Sequence, residues 1–411
     1  MQYPEAIDWL FKQFPSYQNI GKSAYKPDLG NIQQLCECLE INHTHLKYIH
    51  IAGTNGKGST SNMLSSILME AGYKVGTFTS PHLIDFRERI AVNDQLIPEN
   101  EVISFCQKVQ ASNLTFSPSF FEITFAMALN HFLISKCDIC VIETGLGGRL
   151  DATNIITPIL SVITNISLDH TDLLGNTLPK IAFEKAGIIK HNVPVVIGEY
   201  HSETLPIFKE VAEKLNATIF YAFEEVKLSE QNNYKSLNER TVKCTVNRLR
   251  ELHVEISNQD LINGIKNVEK NRNFTGRFQV IQEEPLTIID VSHNEAGLKK
   301  TFELLSKIQK GKLHIVFGAS SDKNLVDILP LFPGNASYYF TPFSSNRSCT
   351  KQELIEKSKN TNLNILFFDS LEQTIQQVKP IVNKEDTLLI TGSFFLISDF
   401  FKLFSLNHLQ K

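Results

Sequence analysis

A chain of 411 residues exceeds what one ordinary hydrophobic core organises, so its length predicts two domains or three. Its 42% hydrophobic and 20% charged fractions are those of a globular protein and exclude a long disordered tract. A net charge of -4 argues against a nucleic-acid partner held mainly through phosphate contacts.

The N-terminal MQYPEAIDWLFKQF carries acidic residues and lacks an apolar core with a small-residue cleavage site. It is not read as a signal peptide, and a cytoplasmic location is expected. Strand-like runs then alternate with helix-like ones. KYIHIAG, YKVGTFTS, CDICVIETG, ILSVITNI and VPVVIGE are short, apolar and β-branched, as strands buried on both faces are. STSNMLSSILMEAG and FEITFAMALNHFLISK, lying between them, read as helices. The alternation predicts a parallel sheet covered by helices, with ligands at the carboxyl ends of its strands. Cys137 and Cys140 have redox or zinc spacing but open an apolar run, and read as core; seven scattered cysteines predict reduced thiols.

LINGIKNVEKNRNFTG, with Gly264, Gly276 and a polar cluster, reads as a hinge and predicts domains of 1–272 and 273–411. A second alternating series follows: RFQVIQ, LTIIDVS, KLHIVFGAS, ASYYFTPF, LNILFFDS and TLLITGS. The run TLLITGSFFLISDFF is interrupted by Gly392 and Asp399 and is too short to span a bilayer, so it reads as a buried strand and then a helix.

The most specific local signal is IHIAGTNGKGST, a strand, a glycine-rich turn and the start of a helix. In that context backbone N–H groups and the helix N-terminus point at an anion, and Lys57 adds charge. Thr54, Asn55, Gly56, Lys57, Gly58 and Ser59 are therefore candidate phosphate contacts. The spacing departs from the usual phosphate loop, because Gly58 stands where a metal-ligating Ser or Thr normally follows the lysine. A metal there needs oxygen from elsewhere in the chain.

Further motifs follow in order: FTSPHL with FRERI at 78–90, ETGLGGRLDATN at 143–154, ITNISLDHTDLLG at 163–175 and IAFEKAGII at 181–189. Together with GTNGKGS they resemble the muramyl-ligase superfamily, and within it the folylpolyglutamate synthase and dihydrofolate synthase family. The resemblance covers nearly the whole chain, and the unusual loop spacing is that family's own. It implies an α/β fold: a P-loop ATPase domain with a mostly parallel sheet flanked by helices, and a smaller, Rossmann-like α/β C-terminal domain. The implied activity is ATP-dependent amide ligation with ATP and two Mg²⁺ ions.

By that resemblance Ser80 and Glu143 are ligands of the first magnesium ion, and His170 belongs to a second. Taken alone, Glu143 also reads as a strand-terminal charge, and His170 as a hydrogen-bonded loop histidine, since Mg²⁺ prefers oxygen. Lys185 on a helix would ordinarily be a solvated cation; the resemblance implies that it is carbamylated and so offers anionic oxygens to metal. Asn238 is similar to the residue at the adenine, Arg277 to one at the ATP phosphates, and Asp290 and His293 to a family DGAHN segment that here reads DVSHN. Lys57, Lys185, Asp290 and His293 are the catalytic candidates. Lys323 matches a family Asp-Lys pair and reads equally well as a surface cation.

Three segments are similar to the family's pterin site: Asp28, Leu29, Gly30 and Asn31, preceded by Lys26 and Pro27; Ser119, Phe120, Phe121 and Glu122; and Leu150, Asp151 and Ala152. Rings and a carboxylate suit a flat heterocycle with exocyclic donors, although FFE is also an ordinary helix start. The implied substrates are dihydropteroate or folate, L-glutamate and ATP, acted on by a monomer with no membrane or nucleic-acid partner. Alternatives are a folylpolyglutamate synthase lacking the dihydropteroate activity, a muramyl-peptide ligase, a regulatory nucleotide switch or a non-catalytic relative.

Overall fold

The computed structural model describes residues 1–14, 28–226 and 234–408, so Lys26 and Pro27 lie outside the described residues. The chain divides into two compact units, Met1–Phe274 and Thr275–Lys411.

The first unit is built on eight strands: β1 (Tyr48–Ala52), β2 (Val75–Phe78), β3 (Ile90–Val92), β4 (Gln95–Leu96), β5 (Ile139–Glu143), β6 (Leu160–Ile163), β7 (Val195–Ile197) and β8 (Ile219–Tyr221). They lie in the order β4-β3-β2-β5-β1-β6-β7-β8, and every pairing is parallel except β2–β3 and β3–β4. Alternate side chains of β1 serve two cores, as a strand covered on both faces requires. Ile49 and Ile51 pack with Val141, Val162 and the helix Lys57–Glu70, while Tyr48 packs with Phe78, Ile142 and the helix Phe120–Ile134.

Two readings of this unit are corrected. The β3–β4 hairpin, an antiparallel extension of the sheet, was not anticipated; strands of three and two residues are too short to show a period. The segment read as a hinge from residue 261 is instead mostly helical, in Asn258–Lys266 and Val268–Arg272. Its Gly264 is a packing residue: a Cβ there would lie 2.4 Å from Ile67 Cα, so glycine lets this helix press against Lys57–Glu70.

The second unit has six strands: β9 (Gln279–Glu283), β10 (Leu286–Asp290), β11 (Leu313–Phe317), β12 (Ser337–Phe340), β13 (Ile365–Phe367) and β14 (Thr387–Thr391). Their order is β13-β12-β11-β14-β10-β9, parallel except for β9. RFQVIQ, read as the first member of the second alternating series, is this antiparallel edge, and Val280 is 40% exposed. An edge strand tolerates such exposure because only one neighbour covers it. The apolar C-terminal run forms β14 and the helix Phe394–His408. Among the described residues no helix is long and apolar enough to cross a membrane.

Candidate active site

Four adjacent strands, β2-β5-β1-β6, end at the same edge of the first sheet, because they are parallel. Ser80 follows β2, Glu143 terminates β5, the glycine-rich loop follows β1, and the segment leading to His170 follows β6. Residues as far apart in sequence as Asn55 and Asn165, 110 positions, thus converge by topology alone. Ser80 N donates to Glu143 Oε2 at 3.4 Å, so two of the sequence-predicted metal residues are neighbours.

The loop after β1 is clamped from β6. Thr54 N donates to the Asn165 carbonyl at 2.9 Å, Asn55 N to Asn165 Oδ1 at 2.9 Å, and Thr164 Oγ1 to the Asn55 carbonyl at 2.7 Å. The Thr54 hydroxyl is engaged by Ser167, which assigns that side chain to shaping the loop. Gly56 caps the helix Lys57–Glu70 with φ 85, and a Cβ there would lie 2.4 Å from Asn238 Oδ1. Asn238 is therefore brought against the loop. The first turn of that helix, Lys57, Gly58 and Ser59, lies where helix geometry directs N–H groups towards an anion.

Lys57 Nζ donates to the carbonyls of Gly53 and Thr54 at 3.0 and 3.2 Å, and Lys185 Nζ donates to the same Gly53 carbonyl at 2.9 Å. Lys185 is 3% exposed, not the solvated cation its helix would give it by default. Burial, and then the Lys57 charge, push its amine down to about 7, against partial support from Asp169, Asp151 and Glu184. His170 sits in the left-handed region at φ 49, capping the short helix Thr171–Leu174, and its N–H donates to Asp169 Oδ1 at 2.9 Å.

The three segments assigned to a heterocycle adjoin. Asp28 accepts from Gly30 N at 2.9 Å, and Asn31 Nδ2 donates to the Ser117 carbonyl at 3.1 Å, just ahead of Ser119. Ser119 and Glu122 form a reciprocal helix cap, the ordinary role of such residues. Phe120 is buried and stacks on Phe11 at 4.6 Å, whereas the half-buried Phe121 lies over Gly145. Leu150 and Ala152 flank Asp151, whose buried carboxylate accepts from Thr153 and Leu146 within its own loop.

The second unit holds its own group. Asp290, at the carboxyl end of β10, is 2% exposed; it accepts from Phe278 N at 2.7 Å, Ser292 N at 2.9 Å and Thr301 Oγ1 at 3.0 Å. The Val-Ser spacer is accommodated by burying Val291 and tying Ser292 to Asp290. Arg277 lies over the Phe394 ring at 4.7 Å, and the His293 ring is 5.8 Å from the same phenyl. Lys323 is half-buried, and its carbonyl accepts from Lys357.

Sequence reasoning missed several contributors. Phe394 was read only as part of an apolar helix. Arg89, 3% exposed, lies in the quoted FRERI; its Nε donates to His82 at 2.8 Å and its charge interacts with Glu143. Thr164 and Asn165 sit in the quoted ITNIS. Local sequence marks these positions as motif members but not as contacts, which only strand order creates.

The donor set fits magnesium. That ion takes one or two protein oxygens and keeps water and phosphate as its other ligands. A carboxylate beside a serine at a phosphate loop meets this, and among the described residues no cluster of three or more His, Cys, Asp and Glu suits a metal.

Comparison with known proteins agrees with this architecture. The Mur ligase middle domain family matches residues 51–269, and the Mur ligase, glutamate ligase domain family matches 276–394. A Bacillus subtilis protein named dihydrofolate synthase/folylpolyglutamate synthase is 31% identical, over 97% of this chain and 98% of its own. The structure of E. coli FolC in complex with DHPP and ADP superposes with a TM-score of 0.87 at 28% identity, covering 99% of both chains. A bifunctional folylpolyglutamate synthase/dihydrofolate synthase with Mn, AMPPNP and L-glutamate bound gives 0.84 at 27%, covering 98% of each. The chain belongs to the Mur ligase family, and within it to the dihydrofolate synthase/folylpolyglutamate synthase family.

Proposed function

We propose that this chain joins L-glutamate through an amide bond to dihydropteroate and to the glutamyl tail of folates, driven by ATP, acting as a cytoplasmic monomer. The observation that carries the reading is the shared Gly53 carbonyl, which gathers Lys57 and Lys185 onto the loop beside Ser80 and Glu143. Two cations converging on a glycine-rich loop at a helix N-terminus suit a triphosphate.

An acceptor carboxylate oxygen attacks the γ-phosphorus, the bond to ADP breaks, and an acyl phosphate forms. The glutamate amine then attacks the acyl carbon, phosphate leaves, and the amine proton passes to solvent. Two Mg²⁺ ions, when bound, offset the phosphate charge. The amides of Gly56, Lys57, Gly58 and Ser59 orient the phosphates within the loop shaped by Thr54 and Asn55. Ser80 and Glu143 would hold the first ion, and His170 with a carbamylated Lys185 would hold the second. An amine that is substantially neutral near pH 7 is the form that adds CO₂. Asn238 is assigned to the adenine; in the second unit Arg277 and Asp290 are assigned to the nucleotide, with Asp290 and His293 supporting transfer. Residues 28–31, 119–122 and 150–152 are assigned to the pterin. No covalent enzyme nucleophile is required, so rate comes from positioning and charge stabilisation.

The test supplies ATP, Mg²⁺ and glutamate with dihydropteroate or tetrahydrofolate in separate reactions. Phosphate release coupled to a glutamate mass increment on both acceptors supports the proposal. Turnover of tetrahydrofolate alone would reduce it to folylpolyglutamate synthesis. Turnover only with a UDP-muramyl acceptor would overturn it.

A further inference from the structure

His50 is the third residue of β1, yet it is a polar side chain with 0% exposure on the face of the sheet that packs Tyr48, Ala152 and Ile156. Its Nε2 lies 2.8 Å from Thr153 Oγ1, and Thr153 Oγ1 lies 2.5 Å from Asp151 Oδ1. A carboxylate can only accept, so the threonine proton points to Asp151 and the imidazole must donate from Nε2. The tautomer is fixed by the chain of bonds. His50 Nδ1 finds no partner among the described residues, so the ring's whole polar engagement is with Thr153. Full burial, with Lys190 nearby, pushes the ring down to about 3, which keeps it neutral.

The far end of this chain is a loop that has to be rigid. Asp151 also accepts from Thr153 N at 3.0 Å and Leu146 N at 2.8 Å, bracing the turn on which Phe121 packs at Gly145. The near end is the strand that leads, three residues later, into Gly53 and its two lysines. We propose that His50 and Thr153 are positioning residues that hold the Leu150–Ala152 acceptor segment in register with the phosphate-loop strand. This rests on the reading that Leu150–Ala152 meets the pterin. Neither residue would touch substrate; a connected polar network confers orientation because each bond constrains the next. Alignment of the acid with the γ-phosphate would follow from it.

The full-length chain carrying Thr153→Val, His50→Leu or His50→Gln tests this. Steady-state rates are measured against dihydropteroate at saturating ATP and glutamate, beside binding of a non-hydrolysable ATP analogue with Mg²⁺. Thr153→Val and His50→Leu are expected to raise the acceptor KM about tenfold, the effect of one buried hydrogen bond, while analogue affinity stays within about twofold. Gln places an N–H near the Nε2 position, so His50→Gln is expected to restore most of the loss, and the double variant to be no worse than its poorer parent. An unchanged acceptor KM, an equal fall in analogue affinity, or a Gln variant as impaired as Leu would overturn the relay. If the wild type adds glutamate to neither pterin acceptor, the functional reading fails instead. Hydrogen exchange at the Leu146 and Thr153 amides then judges the relay: faster exchange in Thr153→Val is expected, and unchanged exchange overturns it.

Discussion

At the scale of a residue, Lys185 shows most plainly what burial does to chemistry. Its sequence context is an ordinary amphipathic helix, and nothing local reveals that its amine is 3% exposed against Gly53. Because burial penalises the ammonium form, the folded protein binds fewer protons than the unfolded chain between about pH 7 and the ordinary lysine value of 10.5. The resulting destabilisation is complete below that window and fades as pH rises through it. In CO₂-free buffer, Lys185→Met is expected to melt above the wild type near the acidic end and to lose that advantage towards the alkaline end. Scanning calorimetry across the window checks this; a constant gap would mean that the amine titrates normally. With ¹³C-bicarbonate, a carbamate carbon signal is expected to rise with a midpoint near 7 and to be missing in Lys185→Met. Absence of that signal from wild-type protein saturated with Mg²⁺ and ATP analogue would remove the carbamate from the metal site.

At the scale of an element, the glycine-rich loop and its helix were legible because their constraints are local. A strand, a left-handed glycine and a helix start must follow one another in sequence, and IHIAGTNGKGST states all three. The contacts on that helix were not legible, since Gly264 reads as a breaker and its close approach to Ile67 is a property of the packed pair. Substituting Gly264→Ala forces the two helices apart and is expected to cost about 1–3 kcal/mol of stability, measured by denaturant unfolding. A neutral result would show that the helices shift without strain. Gly56→Ala differs in kind. Its φ of 85 and the Asn238 amide 2.4 Å from the added carbon oppose any side chain. The stability loss is expected to be about 1–2 kcal/mol, from strain at one residue. Nucleotide affinity is expected to fall much further, because the loop amides move together; titration calorimetry with an ATP analogue distinguishes the two effects. Near-normal affinity would show that phosphates are held elsewhere.

At the scale of the whole molecule, the doubly covered sheets were legible from apolar β-branched runs, since every such run that became β1, β5, β6 or β14 is buried along its length. Strand order was not: nothing in CDICVIETG says that it lies between β2 and β1, and that placement is what sets Glu143 beside Ser80. The family motifs supplied the grouping that periodicity lacked. Each unit nevertheless has its own core, one around Ile49, Val141 and Val162 and another around Ile288, Phe317 and Leu389. Separate cores make all-or-none unfolding of 411 residues improbable on physical grounds. The chain supplies a natural probe for this, because its single tryptophan, Trp9, packs edge-on against Phe14 at 5.3 Å in the first unit. Its fluorescence reports that unit, whereas far-ultraviolet circular dichroism reports helices and strands of both. In a urea titration the two signals are expected to give different midpoints, with the dichroism curve broader than the fluorescence curve. Superimposable curves, together with a single calorimetric transition of matching van't Hoff enthalpy, would establish that the two cores melt as one cooperative body.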